Sequence, residues 1–183
     1  MKKITFWAIW LMIFLAIGCG KPQAAVSEEK PFSLPFGKAY NYDDVLVVRV
    51  VDGDTLKLEN GERVRLIGID TPEMHESEKL YRDSKKSGQD IKTIQALGRR
   101  SYKFTRQLVE GKRVRLEFDV EKQDRYKRLL AYVYLKDGTF VNAEIIKQGY
   151  ASLMTYPPNV KYVDTFKELY KQARENDLGL WKE

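Results

Sequence analysis

The spacing of apolar and polar positions changes period several times along this chain, and each change predicts an element. Residues 45–51 form a dense β-branched run, which predicts a strand. Asp52-Gly53-Asp54 reads as a turn, and residues 55–59 alternate as a second strand. Asn60-Gly61 is a strong two-residue hairpin signal. Residues 62–69 form a third strand, with Val64 and Leu66 on one face. The stretch 74–90 is polar, charged and without period, so it reads as a long exposed loop. From Ile91 a helical period takes over, placing Ile94, Leu97, Ser101, Phe104 and Leu108 on one face, with Gly111 closing the helix. Residues 114–118 and 130–135 predict a fourth and a fifth strand, followed by a turn at Lys136-Asp137-Gly138. A short helix over 141–148 stops at Gly149, and a last helix over about 160–175 buries Val163, Phe166, Tyr170 and Ala173.

This order predicts an α+β, mainly β domain: a five-stranded β-barrel of the OB type with about three helices. Such barrels bind oligonucleotides and oligosaccharides on an open face. The architecture alone does not assign an activity.

The 183-residue length fits one compact domain with appendages. Lys2 and Lys3 precede an apolar run over 6–17, the length of a signal peptide and short for a membrane-spanning helix. Ala16-Ile17-Gly18-Cys19 resembles the lipobox of bacterial lipoproteins, in which the cysteine is lipidated and becomes the new N-terminus. Residues 1–18 are therefore expected to be a signal peptide and 19–41 a flexible tether, with the folded domain over 42–183. The expected location is the cell envelope, anchored to a membrane through Cys19, or secreted if cleavage occurs without lipidation. Cys19 is the only cysteine, so no intrachain disulfide can form.

Lysine and arginine number 32 against 26 acids; loss of residues 1–18 lowers the basic count to 30. That mild excess permits an anionic partner without requiring one. The one histidine, His75, rules out a histidine-rich zinc site.

The candidate chemistry sits at the strand ends. Asp52, Asp54, Asp70, Glu73 and Arg65 fall within some twenty positions. Carboxylates clustered at strand ends suit a hard divalent cation, and an arginine beside them suits a phosphate. Each has a plainer role when taken alone: a turn aspartate, a cap, a solvated glutamate, a surface ion pair. Arg65 and Asp70 are five residues apart, so an unbroken strand would point them to opposite faces. A bend near Gly68 is needed to turn both toward one site.

The segments Val51-Asp52-Gly53-Asp54-Thr55, Arg65 to Glu73 (RLIGIDTPE) and Asp124 to Tyr132 (DRYKRLLAY) resemble those of the staphylococcal nuclease family. The likeness runs from about Val45 to Trp181. It implies a Ca²⁺-dependent endonuclease that hydrolyses DNA and RNA to 3′-phosphate products and acts as a monomer. By the resemblance, Asp54, Asp70 and the Thr71 carbonyl hold Ca²⁺, Glu73 activates or orients water, and Arg65 and Arg128 flank the scissile phosphate. Tyr156 and Tyr126 are candidate substrate contacts, although Tyr126 also fits a core position. Lys79, Arg82, Lys85 and Lys86 in the polar stretch could grip phosphates or simply be solvated. One departure stands out: Lys127 replaces the family's usual glycine, at a cost of about 1 kcal/mol if a positive φ is required. A binding module of the same fold and an adhesive envelope lipoprotein are the competing readings. The complete residue set argues against the first, and only the N-terminus supports the second.

Overall fold

A computed structural model describes residues 40–182. The expectations for residues 1–18, Cys19 and most of the tether lie outside the described residues. Tyr40, assigned to the tether by sequence, already packs on Tyr42 with ring centroids 5.2 Å apart, and its hydroxyl donates to Glu59.

Strand β1 (Val45–Asp52) turns through Gly53 into β2 (Thr55–Leu58), which pairs antiparallel with it. The Asn60-Gly61 hairpin leads to β3 (Arg63–Leu66), antiparallel to β2. This three-stranded meander is the one the alternation predicts. The third strand does not continue to Ile69 as predicted. It breaks at Ile67, and β4 (Gly68–Asp70) leaves to pair with β7 (Ser152–Met154) in a separate two-stranded sheet. Strands β5 (Arg113–Glu117) and β6 (Leu129–Leu135) complete a closed barrel in the order β1-β2-β3-β6-β5. The β3–β6 pairing is parallel and closes the barrel; the other barrel pairs are antiparallel.

The barrel is filled by the inward side chains of these strands. Val45, Val47, Val50, Leu56, Leu58, Val64, Ala131 and Val133 are fully buried. An aromatic cluster of Tyr132, Phe140, Tyr162 and Phe166 continues this core, with ring centroids 4.6 to 6.3 Å apart.

Among the described residues there are four α-helices rather than about three. The extra one, α1 (Glu78–Ser87), occupies the stretch read as a long loop. Ser77 caps it by accepting from Leu80 N at 3.1 Å, and Gly88 ends it in the left-handed conformation. Leu80 is its one buried residue, so no apolar period was there to be read. Helix α2 (Ile91–Val109) starts and ends near its predicted limits, but its buried stripe is Ile94, Gly98, Ser101, Thr105 and Val109. Leu97, Phe104 and Leu108 flank that stripe half-buried. Small side chains let α2 approach the barrel closely, so size as well as hydrophobicity decides which face goes inward. Helices α3 (Val141–Lys147) and α4 (Val163–Glu175) match the remaining two predictions, and a 3₁₀ turn spans Gly179–Trp181. No helix among the described residues is long and apolar enough to cross a membrane.

Candidate active site

The break between β3 and β4 builds the site. Gly68 takes φ +83°, and a β-carbon on it would overlap the Phe166 ring. The freed backbone at the break is bonded: Ile67 N donates to Ala131 O at 3.1 Å, and Asn142 Nδ2 donates to Ile67 O at 2.9 Å. The bend that sequence spacing required is therefore present. It turns Asp70 back toward Arg65, whose Nη2 donates to Asp70 Oδ1 at 3.0 Å.

A second chain crossing supplies Asp54. The β1–β2 turn lies so close to Thr71 that a β-carbon on Gly53 would fall 2.7 Å from Thr71 Oγ1. Thr71 N and Oγ1 both donate to Asp54 Oδ2, at 3.0 and 3.1 Å. Thr105 of α2 pins the same turn by donating to Gly53 O at 2.7 Å. Asp54 is 5 % exposed, and its Oδ2 lies 3.2 Å from Arg65 Nη1. One guanidinium thus spans two carboxylates drawn from different strand ends. Arg65 also donates to Ile69 O at 2.8 Å, which fixes the fork in place.

Glu73 completes the acidic group, joined to it through Lys79. The Lys79 ammonium lies 2.9 Å from Asp70 Oδ1 and 2.9 Å from Glu73 Oε1, and donates to Thr71 O at 3.1 Å. Burial opposes the charge on Lys79, but Asp70, Glu73 and Asp54 outweigh it and raise its pKa. For Asp54, burial pushes the pKa up, yet Arg65, Lys79 and the hydrogen bonds from Thr71 and Thr55 win and lower it. Asp70 moves the other way, raised by burial and by Asp54 against the pull of Lys79 and Arg65.

Asp54, Arg65, Asp70, Glu73 and Lys79 line an open cleft of about 930 Å³. Arg128, Tyr126 and Tyr156 line the same cleft, with Arg125, Arg63 and Arg82. Arg128 does not touch the acids across the cleft; its Nε and Nη2 both bond Asp124 Oδ2 at 2.7 Å. Tyr126 is 64 % exposed with the Arg125 and Arg128 guanidinium groups near its ring, so the core alternative for it is ruled out. Tyr156 is 75 % exposed. Lys127 takes φ +60° in the turn before Arg128. That position does demand a positive φ, and a lysine there carries a strain of about 1 kcal/mol. The structure does not bring Lys85 or Lys86 into this cleft. Lys86 lines a smaller neighbouring hollow with Asp83 and Gln89. His75 is exposed and lies outside both.

Lys79, expected to grip phosphate or to be solvated, instead pairs with the acids, and Thr105 and Asn142 hold the site without any signal in the sequence. Thr105 reaches Gly53 across 52 residues and Asn142 reaches Ile67 across 75, contacts that no local pattern signals, whereas Lys79 reaches back along the chain to Asp70, Thr71 and Glu73 because α1 folds its first turn over them.

Asp52, at the end of β1, lines the cleft and accepts from Gly53 N at 2.8 Å. Burial, reinforced by Asp54, pushes its carboxyl from 3.8 up to about 7. The native state therefore holds this proton more tightly than the unfolded chain does. The resulting stability is full below about pH 4 and is lost as pH rises through 7. Asp52→Asn keeps an oxygen for Gly53 N. In chelator it is expected to flatten this pH slope and to stabilise the protein near pH 8 by roughly 2–4 kcal/mol. Urea melts of both proteins near pH 5 and pH 8 test this, and parallel pH profiles would refute it.

The staphylococcal nuclease homologue family matches residues 63–183, more than half of the chain. The thermonuclease of Staphylococcus intermedius is 38 % identical over 189 aligned residues, covering 100 % of this chain and 99 % of its own length. The thermonuclease of Staphylococcus hyicus is 32 % identical, with 99 % of each chain covered. The endonuclease YncB of Bacillus subtilis is 35 % identical over 143 residues, 75 % of this chain and 61 % of that one. The match takes in β3, the Gly68 bend, the acidic segment that follows it and the Arg128 turn, and the thermonucleases run collinear with the chain from end to end. This protein belongs to the staphylococcal nuclease homologue family.

Proposed function

We propose that this protein is a Ca²⁺-dependent nuclease that hydrolyses phosphodiester bonds in DNA and RNA and leaves 3′-phosphate ends. The observation that carries this reading is the Arg65 fork held between Asp54 and Asp70, with Glu73 in the same cleft. The relatives named thermonuclease and endonuclease support the same reaction class.

The oxygens present suit a hard cation. An ammonium, that of Lys79, already gathers a carboxylate from Asp70, a carboxylate from Glu73 and the Thr71 carbonyl at 2.9 to 3.1 Å. Asp54, Asp70 and the Thr71 carbonyl would hold Ca²⁺, as oxygen donors do. When bound, the ion would supply Lewis-acid charge stabilisation to the phosphate. The chain's own residues do the rest. Glu73 accepts the proton of the attacking water. Arg65 and Arg128 bind the phosphoryl oxygens and oppose the charge that builds on them. The exposed rings of Tyr126 and Tyr156 give bases or sugars a surface to rest on. Substrate binding would draw Arg128 off Asp124, since one guanidinium fork serves either partner.

We also propose that the chain is an envelope lipoprotein anchored through Cys19. The apolar run over 6–17 and the Gly18-Cys19 pair support this.

Incubation of the full chain with single-stranded DNA and Ca²⁺ is expected to cut the strand, and a chelator to stop it. Folded protein that leaves DNA and RNA intact with Ca²⁺ would sink the nuclease reading.

A further inference from the structure

We infer that Lys79 is a built-in competitor for the divalent cation: its ammonium occupies the Asp70, Thr71 and Glu73 oxygens and must leave before the metal can bind. The inference rests on the Ca²⁺ reading above and adds a control to it.

The contacts are of the kind a cation site makes. Nζ lies 2.9 Å from Asp70 Oδ1, 2.9 Å from Glu73 Oε1 and 3.1 Å from Thr71 O. Two of these three groups belong to the set assigned to Ca²⁺. Arg65 and Lys79 both bond Asp70 Oδ1 already, so a dication placed on that carboxylate and on the Thr71 carbonyl would meet the ammonium at contact distance, where like charges repel most strongly.

The geometry also allows Lys79 to leave. Its side chain is 22 % exposed and already touches the open cleft. Helix α1 is held by other groups, the Ser77 cap and buried Leu80, so a rotation of the lysine stem leaves the helix in place. Arg82, one turn further along α1, lines the same cleft. A displaced Lys79 would therefore join a basic wall where a phosphate binds.

An internal occupant lowers apparent affinity by the fraction of time that it leaves the site open. If Lys79 vacates roughly a tenth to a hundredth of the time, its removal tightens Ca²⁺ binding about 10- to 100-fold. Together with Arg65, Lys79 also keeps positive charge beside these partly buried carboxylates when calcium is scarce, which favours the folded state without metal.

The test measures binding rather than turnover. Calorimetric titration of CaCl₂ into the full chain and into Lys79→Gln is expected to show Ca²⁺ bound at least about tenfold tighter by the variant. In chelator the variant should melt at lower temperature than the parent, and Ca²⁺ should restore it by a larger margin. Amine-reactive labelling of the unaltered chain, read by mass spectrometry at Lys79, should rise on adding Ca²⁺. Equal or weaker Ca²⁺ binding by a folded Lys79→Gln overturns the inference and leaves the Ca²⁺ reading intact. Absence of Ca²⁺ binding by both proteins overturns the Ca²⁺ reading itself, and this inference with it. Should Lys79→Gln not fold, the labelling decides: a rise with Ca²⁺ supports the inference, and unchanged reactivity refutes it.

Discussion

Arg65→Ala is expected to lower nuclease turnover by roughly 10²- to 10³-fold and to destabilise the fold by about 3 kcal/mol. The two effects have one origin. Arg65 is 12 % exposed and faces two carboxylates, one of them on a residue 5 % exposed. Its loss leaves the buried Asp54 beside the partly exposed Asp70, with Lys79 as the cation that remains in contact with Asp70. Breaking a buried pair costs more than the pair contributes, because the remaining charge has lost both water and partner. The catalytic loss comes from the phosphate side, where a guanidinium fork opposes charge that grows as phosphorus is attacked. Arg65→Lys separates the two. It restores a positive charge, so most of the stability should return. It cannot span Asp54, Asp70 and a phosphoryl oxygen with fixed geometry, so turnover should stay low. Thermal melts and initial rates on one DNA substrate check this. Full activity in a folded Arg65→Ala protein would remove Arg65 from the mechanism. Ca²⁺ should raise the melting temperature of Arg65→Ala more than that of the parent, since a dication can replace part of the lost charge.

Gly68→Ala should cost roughly 3 kcal/mol or more and lower the melting temperature by about 10 °C. Two penalties add. The backbone sits at φ +83°, where an L side chain is disfavoured, and the new methyl meets the Phe166 ring at the edge of the aromatic core. The strain falls on the hinge that turns Asp70 toward Arg65. Activity should therefore drop beyond the loss of folded protein, with the Asp70–Arg65 contact loosened. A double-mutant cycle with Phe166→Leu tells the penalties apart. The smaller side chain relieves the overlap and leaves the φ penalty, so the Gly68→Ala cost should shrink in that background. Equal cost in both backgrounds would mean that Phe166 plays no part.

Much of the fold was legible along the chain, and for reasons that are local. The meander over 45–66 follows from alternation and from a hairpin signal at Asn60-Gly61, which the immediate neighbours decide. Helices α3 and α4 follow from their period and from Gly149. Helix α1 was not legible, because it is held by a cap and one leucine, and ten mostly polar residues carry no stripe. The inward face of α2 departs from its apolar period for a related reason. Gly98, Ser101 and Thr105 are buried for their small size and for what they touch, and periodicity weighs neither.

The candidate site divides the same way. Reading along the chain identifies which chemistry is available: carboxylates at strand ends, an arginine five residues before one of them, a run of basic residues around Lys127, and a barrel to hold them. Which groups meet depends on packing between distant parts of the chain. Asp54 reaches Thr71 across 17 residues through the close approach at Gly53. Arg65 and Asp70 meet because the chain breaks at Gly68 rather than running on as a strand. Lys79 sits on the oxygens assigned to a metal, while Lys85 and Lys86 of the same helix lie outside that cleft. Side-chain period and turn chemistry are set by neighbours in sequence. Charge pairing in a buried site is set by distance in space, which only the packed fold fixes.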